Sequence, residues 1–314
     1  MRGLTRRLLG AVAAAGLVAG LVGGLAGQAR AEVPENQDPV VLALLEWTGQ
    51  HISTKVAGHI LEEMGYTVEY VTAGSYPSAI PLSEGEIAAV LEFWSNNQGE
   101  YYPSLVEKGE IENVGDIGLN AYEGWLYPKY MEQQCPGLPD WDAFVGCAEL
   151  FATPESFPNG RVLAYPADWG HRSADIIEYS GIPFEAVPAG SEGALVAELQ
   201  SAVEREAPLV MMFWSPHWVL STVDYGWITF PEDVKEKFVM INVPVWKLLW
   251  PGVKDTWPGA YSLLSSFQLD NHSQEVMMDL IDNQGQDLDA VTRAWVEDNR
   301  DVWQPWVDKA MAGS

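Results

Sequence analysis

Three tryptophans in this chain end an apolar run and stand where the sequence turns polar: Trp47 after Val40-Val41-Leu42-Ala43-Leu44-Leu45, Trp94 after Ile87-Ala88-Ala89-Val90-Leu91, and Trp214 after Pro208-Leu209-Val210-Met211-Met212. Trp214 opens the densest aromatic stretch, Phe213-Trp214-Ser215-Pro216-His217-Trp218. Tyr122, Trp125 and Trp169 hold comparable positions. Indoles are costly to leave in water and hard to bury whole, so rings at strand ends belong to the rim of a cleft. An indole face attracts a cation with about 2 kcal/mol or more once desolvated. Three or four such faces supply most of the roughly 8 kcal/mol of a micromolar complex. The chemistry these residues point to is capture of a small methylated cation. Glu123 beside Trp125 is weighed as a polar group of such a site, whereas Glu46 and Glu92 read as solvated or capping carboxylates. Gly170 and His171, at the start of a helical pattern, would offer backbone N–H groups to a negative oxygen. His217 reads as a packed or hydrogen-bonding side chain.

Tryptophans also stack on sugars, so a sugar receptor is the alternative binding reading, and two of the carboxylates could form a glycosidase pair. The chain shows no nucleophile elbow, phosphate-cradling glycine loop or paired-histidine zinc motif, and the expectation is that it is not an enzyme. With 44 acidic against 17 basic side chains and a net charge of −27, it has no means of building the basic patch that nucleic acid requires. No organic cofactor is implied. Asp140, Asp142 and Glu149 are the candidate ligands for a hard cation such as calcium, although their spacing matches no calcium loop.

The elements that must position these residues alternate between strand and helix, which predicts an α/β architecture. Residues 40–45 form a continuous apolar run of the kind buried in parallel sheets, followed by a helix with Ile52, Val56, Ile60 and Met64 on one face and Gly65 as its stop. Strands are predicted at 66–71, 87–94, 122–128, 161–165 and 238–243. Helices are predicted from Ser191 to Glu206, from Ser273 to Asn283, and from Asp287 to about Ala310. The helix-spaced Trp295, Trp303 and Trp306 are assigned to packing rather than to ligand. Residues 131–159 break the periodicity with Pro136, Pro139, Pro154 and Pro158. Cys135 and Cys147 lie in this stretch as a close pair, which in an oxidising compartment reads as one disulfide stapling an insertion. That compartment is implied by the N-terminus: Arg2, Arg6 and Arg7, an apolar run from Leu8 to Gly27, and Ala29-Arg30-Ala31 have the order of a secretory signal cleaved after Ala31.

On these residues the chain resembles the glycine betaine/proline betaine substrate-binding proteins of ABC importers. The likeness rests on Leu45-Glu46-Trp47-Thr48, Glu62-Glu63-Met64-Gly65-Tyr66, Leu91-Glu92-Phe93-Trp94, Gly124-Trp125-Leu126-Tyr127-Pro128-Lys129-Tyr130 and Trp214-Ser215-Pro216-His217-Trp218. The resemblance implies a two-lobed periplasmic binding protein of the type II, Venus-flytrap kind, with two hinge crossings. Lobe one would be residues 38–125 plus 240–314, and lobe two residues 126–239 with the stapled insertion at 131–159. It also implies an aromatic box containing Trp47, Trp94 and Trp214, a carboxylate site at Gly170-His171, a membrane permease as partner, and a monomer. The stretch after Trp94, Ser95-Asn96-Asn97-Gln98-Gly99, lacks the histidine that some betaine-binding relatives place there. Together with the cysteine insertion, that makes the chain most similar to the trimethylamine N-oxide receptors of marine bacteria, with glycine betaine or choline as the next ligands.

Overall fold

The computed structural model describes residues 33–97, 99–238 and 241–312. The expected leader and its cleavage site lie outside the described residues. Two five-stranded mixed sheets, each flanked by helices, form the α/β body. The first sheet contains β1 (Val40–Leu44), β2 (Val68–Thr72), β3 (Ala89–Trp94), β4 (Glu112–Asp116) and the late strand β10 (Val245–Leu249), in the order β2-β1-β3-β10-β4. The second contains β5 (Tyr122–Pro128), β6 (Gly160–Ala164), β7 (Phe184–Pro188), β8 (Met211–Ser215) and β9 (Tyr225–Trp227), in the order β7-β6-β8-β5-β9.

The apolar runs become buried strands packed against helices, as Val40–Leu44 and Ala89–Trp94 are against Thr48–Glu63. β1 lies parallel to β2 and β3, and every residue of β3 is buried. Helix α1 (Thr48–Glu63) follows β1 directly, with Trp47 in extended backbone as its N-cap and Gly65 in the left-handed region just past its end. The αL position is open to glycine without a Cβ penalty, which is why the periodicity stops there.

One strand expectation and the expected lobe boundary change. Among the described residues of 238–243 none belongs to a strand: Phe238 ends the helix Glu232–Phe238 and Ile241 makes an isolated bridge to Tyr122, while Val239 and Met240 lie outside the described residues. The strand is Val245–Leu249 instead, antiparallel to both β3 and β4. It carries Lys247 fully inside, its ammonium donating to the Ser265 and Phe267 carbonyls, and that buried lysine disguises the strand in sequence. The expected lobe boundary after Trp125 falls within β5, which pairs with β8 from Tyr122 to Leu126. The chain therefore leaves the first sheet before Tyr122 and returns to it after Ile241. The two crossing segments touch: Ile117 N–H donates to Val245 and Val243 N–H to Ala121.

The tail predicted as one helix from Asp287 is two, Leu288–Asp298 and Arg300–Met311, broken at Asn299. Trp303 is buried and donates to the Val296 carbonyl across this break, while Trp306 meets Phe267 edge-on. In the second body Trp125, fully buried, stacks on Trp141 and meets Phe144 and Phe230. Cys135 and Cys147 are joined by a disulfide.

Candidate functional site

The ends of strands from both sheets converge on one cavity with an empty volume of about 360 Å³. Trp47, Trp94 and Ser75 line it from the first lobe, together with Asn97; Trp169, Trp214, Tyr165 and Glu123 line it from the second. The rings stand at steep angles to one another. Trp47 and Trp169 meet across the cleft with centroids 5.3 Å apart and planes at 64°. Trp169 and Trp214 are 5.7 Å apart at 73°, and Tyr165 and Trp214 5.6 Å apart at 75°. Rings set this way surround a compact group from several sides instead of offering one flat platform.

Each ring owes its place to a chain turn. Trp47 caps α1, Trp94 ends β3, Trp214 lies next to the end of β8, and Trp169 ends the short turn Ala167–Trp169 ahead of the helix Arg172–Ser180. Glu123 enters through register: it lies directly opposite Trp214 in the antiparallel β5–β8 pair, and opposed residues share a face.

The same alternation removes Tyr122, which was expected in the site. It lies opposite Ser215 and packs edge-on against Trp227, away from the cavity. Gly170 and His171 also lie outside the box. They line a neighbouring outer chamber with Asp168 and Asp175. Gly170 has another role: at φ 117° a Cβ there would come within 2.4 Å of the Asn97 carbonyl oxygen on the opposite lobe. Glycine is required for the two lobes to approach at that point. Asp140 is consumed as the N-cap of the helix Trp141–Gly146, accepting from Asp142 and Ala143 N–H, while Glu149 sits on the next turn. Among the described residues, no group of three or more His, Cys, Asp or Glu side chains is arranged to hold a metal ion.

Glu123 is buried and each of its oxygens accepts two hydrogen bonds. Oε1 receives Asn97 Nδ2 at 2.9 Å and the Tyr165 hydroxyl at 3.1 Å. Oε2 receives Asn96 Nδ2 and, at 3.0 Å, Arg172 Nη1. Asn96 and Asn97 come from the first lobe and the other donors from the second, so this carboxylate joins the lobes. Burial pushes the Arg172 guanidinium below its ordinary range against the pull of Glu123, and pushes the Tyr165 hydroxyl well above it, so the phenol stays a donor.

A second cross-lobe contact lies at the start of α1. Glu192, on the helix Glu192–Arg205, accepts Thr48 N–H at 2.8 Å, where the helix dipole favours a negative charge. His217 Nδ1 accepts from Val219 N–H, which leaves Nε2 to face Glu192 at 3.3 Å. His217 is thus a hydrogen-bonding residue behind the box.

Of the residues expected in a site from sequence, Trp47, Trp94, Trp169, Trp214 and Glu123 line this cavity; Tyr165, Asn97 and Ser75, which sequence reasoning did not name, line it too, and Arg172 and Glu92 bond to its lining residues from behind. Tyr165 was within reach, since it follows the apolar strand β6 just as Trp47 follows β1. Glu46, read as a capping or solvated carboxylate, accepts Ser75 N–H at 2.9 Å, in the turn that leads to the helix Ala79–Glu84. Glu92 was assigned the same minor role, yet it is buried behind Trp47 and Trp94 and accepts from both indoles.

Comparison with known proteins agrees with this architecture. Residues 38–298 match the family described as the substrate binding domain of ABC-type glycine betaine transport systems. The chain is 26% identical over 287 residues to a trimethylamine N-oxide-binding protein of Pelagibacter ubique, covering 87% of this chain and 91% of that one. Among solved structures, the glycine betaine/L-proline-binding protein ProX of Borrelia burgdorferi superposes with a TM-score of 0.76 at 21% identity, covering 87% of this chain and 98% of that one. An ABC-transporter choline-binding protein in complex with choline superposes with a TM-score of 0.75 at 19% identity, covering 88% and 93%. The four-indole cavity at the junction of two α/β lobes and the match along most of the length lead to one assignment: this chain belongs to the family of substrate-binding domains of ABC-type glycine betaine transport systems.

Proposed function

We propose that the protein is a monomeric periplasmic receptor that captures a small methylated amine, with trimethylamine N-oxide the preferred ligand, and delivers it to the permease of an ABC importer. One observation carries the reading: four indoles and Tyr165 surround the cavity, and its buried carboxylate is Glu123. Methyl groups on a cationic nitrogen fit the ring faces, where each desolvated contact contributes about 2 kcal/mol. The polar end of the ligand then meets Glu123, whose oxygens are already held by four donors. A carboxylate tail, as in glycine betaine, would face this charge at short range and be repelled. An N-oxide oxygen accepts from the Asn97 amide, and a choline hydroxyl donates to Glu123. The similarity to the Pelagibacter ubique trimethylamine N-oxide-binding protein supports trimethylamine N-oxide as the first ligand. A sugar receptor is not favoured, because steeply angled rings around a compact volume give a flat sugar face no parallel platform.

Calorimetric titration of the mature chain with trimethylamine N-oxide, choline and glycine betaine tests this. The expected result is micromolar or tighter binding of trimethylamine N-oxide, weaker choline and weakest betaine. Betaine binding tightest would overturn the role given to Glu123, and no binding of any of the three would overturn the reading as a whole.

A further inference from the structure

Behind the box, and not part of its lining, lies a carboxylate that the strand geometry has been bent to deliver. Glu92 belongs to β3 but has φ 58°, a left-handed conformation that is uncommon for a non-glycine residue. The cause is a bulge. β10 pairs Trp246 with Phe93 and then Leu248 with Val90, so Leu91 and Glu92 together oppose Lys247 alone. A bulge re-aims the side chain of the extra residue. Here it turns Glu92 inward, where Oε1 accepts Trp47 Nε1 at 2.7 Å and Trp94 Nε1 at 3.4 Å, and Oε2 accepts Ser53 Oγ at 2.6 Å and Gln274 Nε2 at 2.6 Å. All four partners are neutral. Both rings that the first lobe contributes to the box are tied to this one group.

We infer that Glu92 is the buried counter-charge of the aromatic box: it fixes the Trp47 and Trp94 rings and, through their N–H bonds, makes their faces more attractive to a cation. The inference rests on the reading of the cavity as a methylated-amine site. An indole donating to a carboxylate is polarised toward the ring, and in a water-poor interior that polarisation and the direct field of the charge are both stronger than in solvent. When the cavity holds no cation, burial pushes the Glu92 carboxyl up to about 7. A cation against the rings favours its ionised form and pulls that value down, so ligand binding and Glu92 ionisation are linked. Other charged groups are placed otherwise: Lys247 across the bulge is turned toward the Ser265 and Phe267 carbonyls, and Glu123 stands on the other lobe, paired with Arg172. From α1 the group is faced by Ser53 and Gly49, and from the helix Asn271–Met278 by Gln274.

The test compares choline with 3,3-dimethylbutan-1-ol, its neutral isostere, on the wild-type mature chain and on Glu92→Gln. Because the two probes share a shape, the ratio of their dissociation constants reports what the box gains from the ligand's charge. Glu92→Gln should cut that ratio tenfold or more while the isostere's own constant moves less than threefold, and the wild-type weakening of choline binding between pH 8 and pH 6 should disappear. Equal weakening of both probes, or an unchanged ratio, would show that Glu92 only shapes the rings and would overturn the counter-charge. If Glu92→Gln does not fold, Gln274→Leu keeps the carboxylate and the rings but removes a donor; the pH midpoint of choline binding should then rise, and an unmoved midpoint overturns the inference. A wild-type chain that binds neither choline nor trimethylamine N-oxide would remove the proposed function itself, a result distinct from either of these.

Discussion

Trp47 and Trp214 have nearly the same exposure as Trp303, at 6%, 4% and 1%, so burial does not separate a cavity ring from a core ring. Surroundings do. Trp303 is packed within the tail helices, its N–H on the Val296 carbonyl, whereas Trp47 and Trp214 border empty space. Trp214→Ala and Trp169→Ala should therefore each weaken trimethylamine N-oxide binding at least tenfold with the melting curve little changed, read by calorimetry beside circular dichroism. Trp303→Ala should cost about 3–5 kcal/mol of stability with ligand affinity preserved in the folded fraction, read by urea denaturation. Glu92 adds a pH dependence. Its carboxyl is raised from 4.5 to about 7 in the folded state, so the native protein holds its proton more tightly than the unfolded chain. The associated stability is present in full below about pH 4.5 and lost as pH rises through about 7, a swing of roughly 3 kcal/mol. Wild-type stability measured relative to Glu92→Gln should accordingly fall between pH 5 and pH 8, and a flat difference would place the carboxyl in its ordinary range.

The elements that aim these side chains are short and mostly set by local rules. Apolar strands stop where the chain meets a ring and a turn, and the ring is left at the sheet's edge over the cleft, where open α/β sheets bind ligands. Register decides the rest: Glu123 faces the cavity because it opposes Trp214, while Tyr122, one residue earlier, cannot. The disulfide element is separate from this work. Cys135 and Cys147 close a loop with a sequence separation of 12 in the second lobe, outside the cavity lining. Loop-closure entropy assigns it about 3 kcal/mol. Cys135→Ser with Cys147→Ser should lower the melting temperature while leaving the ligand dissociation constant within about twofold, checked by thermal melts and titration of the same sample.

At the scale of the whole molecule, the two lobes are joined by contacts outside the ring faces of the box. Asn96 and Asn97 reach Glu123 from across the cleft, Glu192 reaches the first N–H of α1, and Gly170 lets the Asn97 carbonyl pass. Such contacts favour the closed form, and a ligand that binds only there gains from them. Gly170→Ala, which would place a methyl within 2.4 Å of the Asn97 oxygen, should open the protein: small-angle scattering should show a larger radius of gyration with saturating ligand, and affinity should drop tenfold or more although no box residue has changed. Glu192→Gln should act in the same direction more weakly, through loss of the charge at the helix start.

Much of this protein is legible in the chain taken alone. Alternating apolar runs and helical periods determine an α/β fold, because each pattern has one way to hide its apolar face. The rule that rings following buried strands sit at sheet ends located four of the five aromatic walls; Tyr165, which obeys the same rule, was overlooked. Glu123 was half visible, as a carboxylate beside such a ring. What tertiary structure decided were matters of register and of long-range partnership. Tyr122 left the site and Glu123 entered it through one step of strand pairing. The strand Val245–Leu249 was hidden by Lys247, whose ammonium is satisfied by carbonyls some twenty residues away in sequence. Glu92 looked like a surface carboxylate because glutamate is rarely buried; only a bulge imposed by a strand from the far end of the chain turns it beneath the box. Local patterns carry burial and period, but not which distant strand will pair with which, and here that pairing determines which carboxylate lines the cavity and which one stands behind the rings.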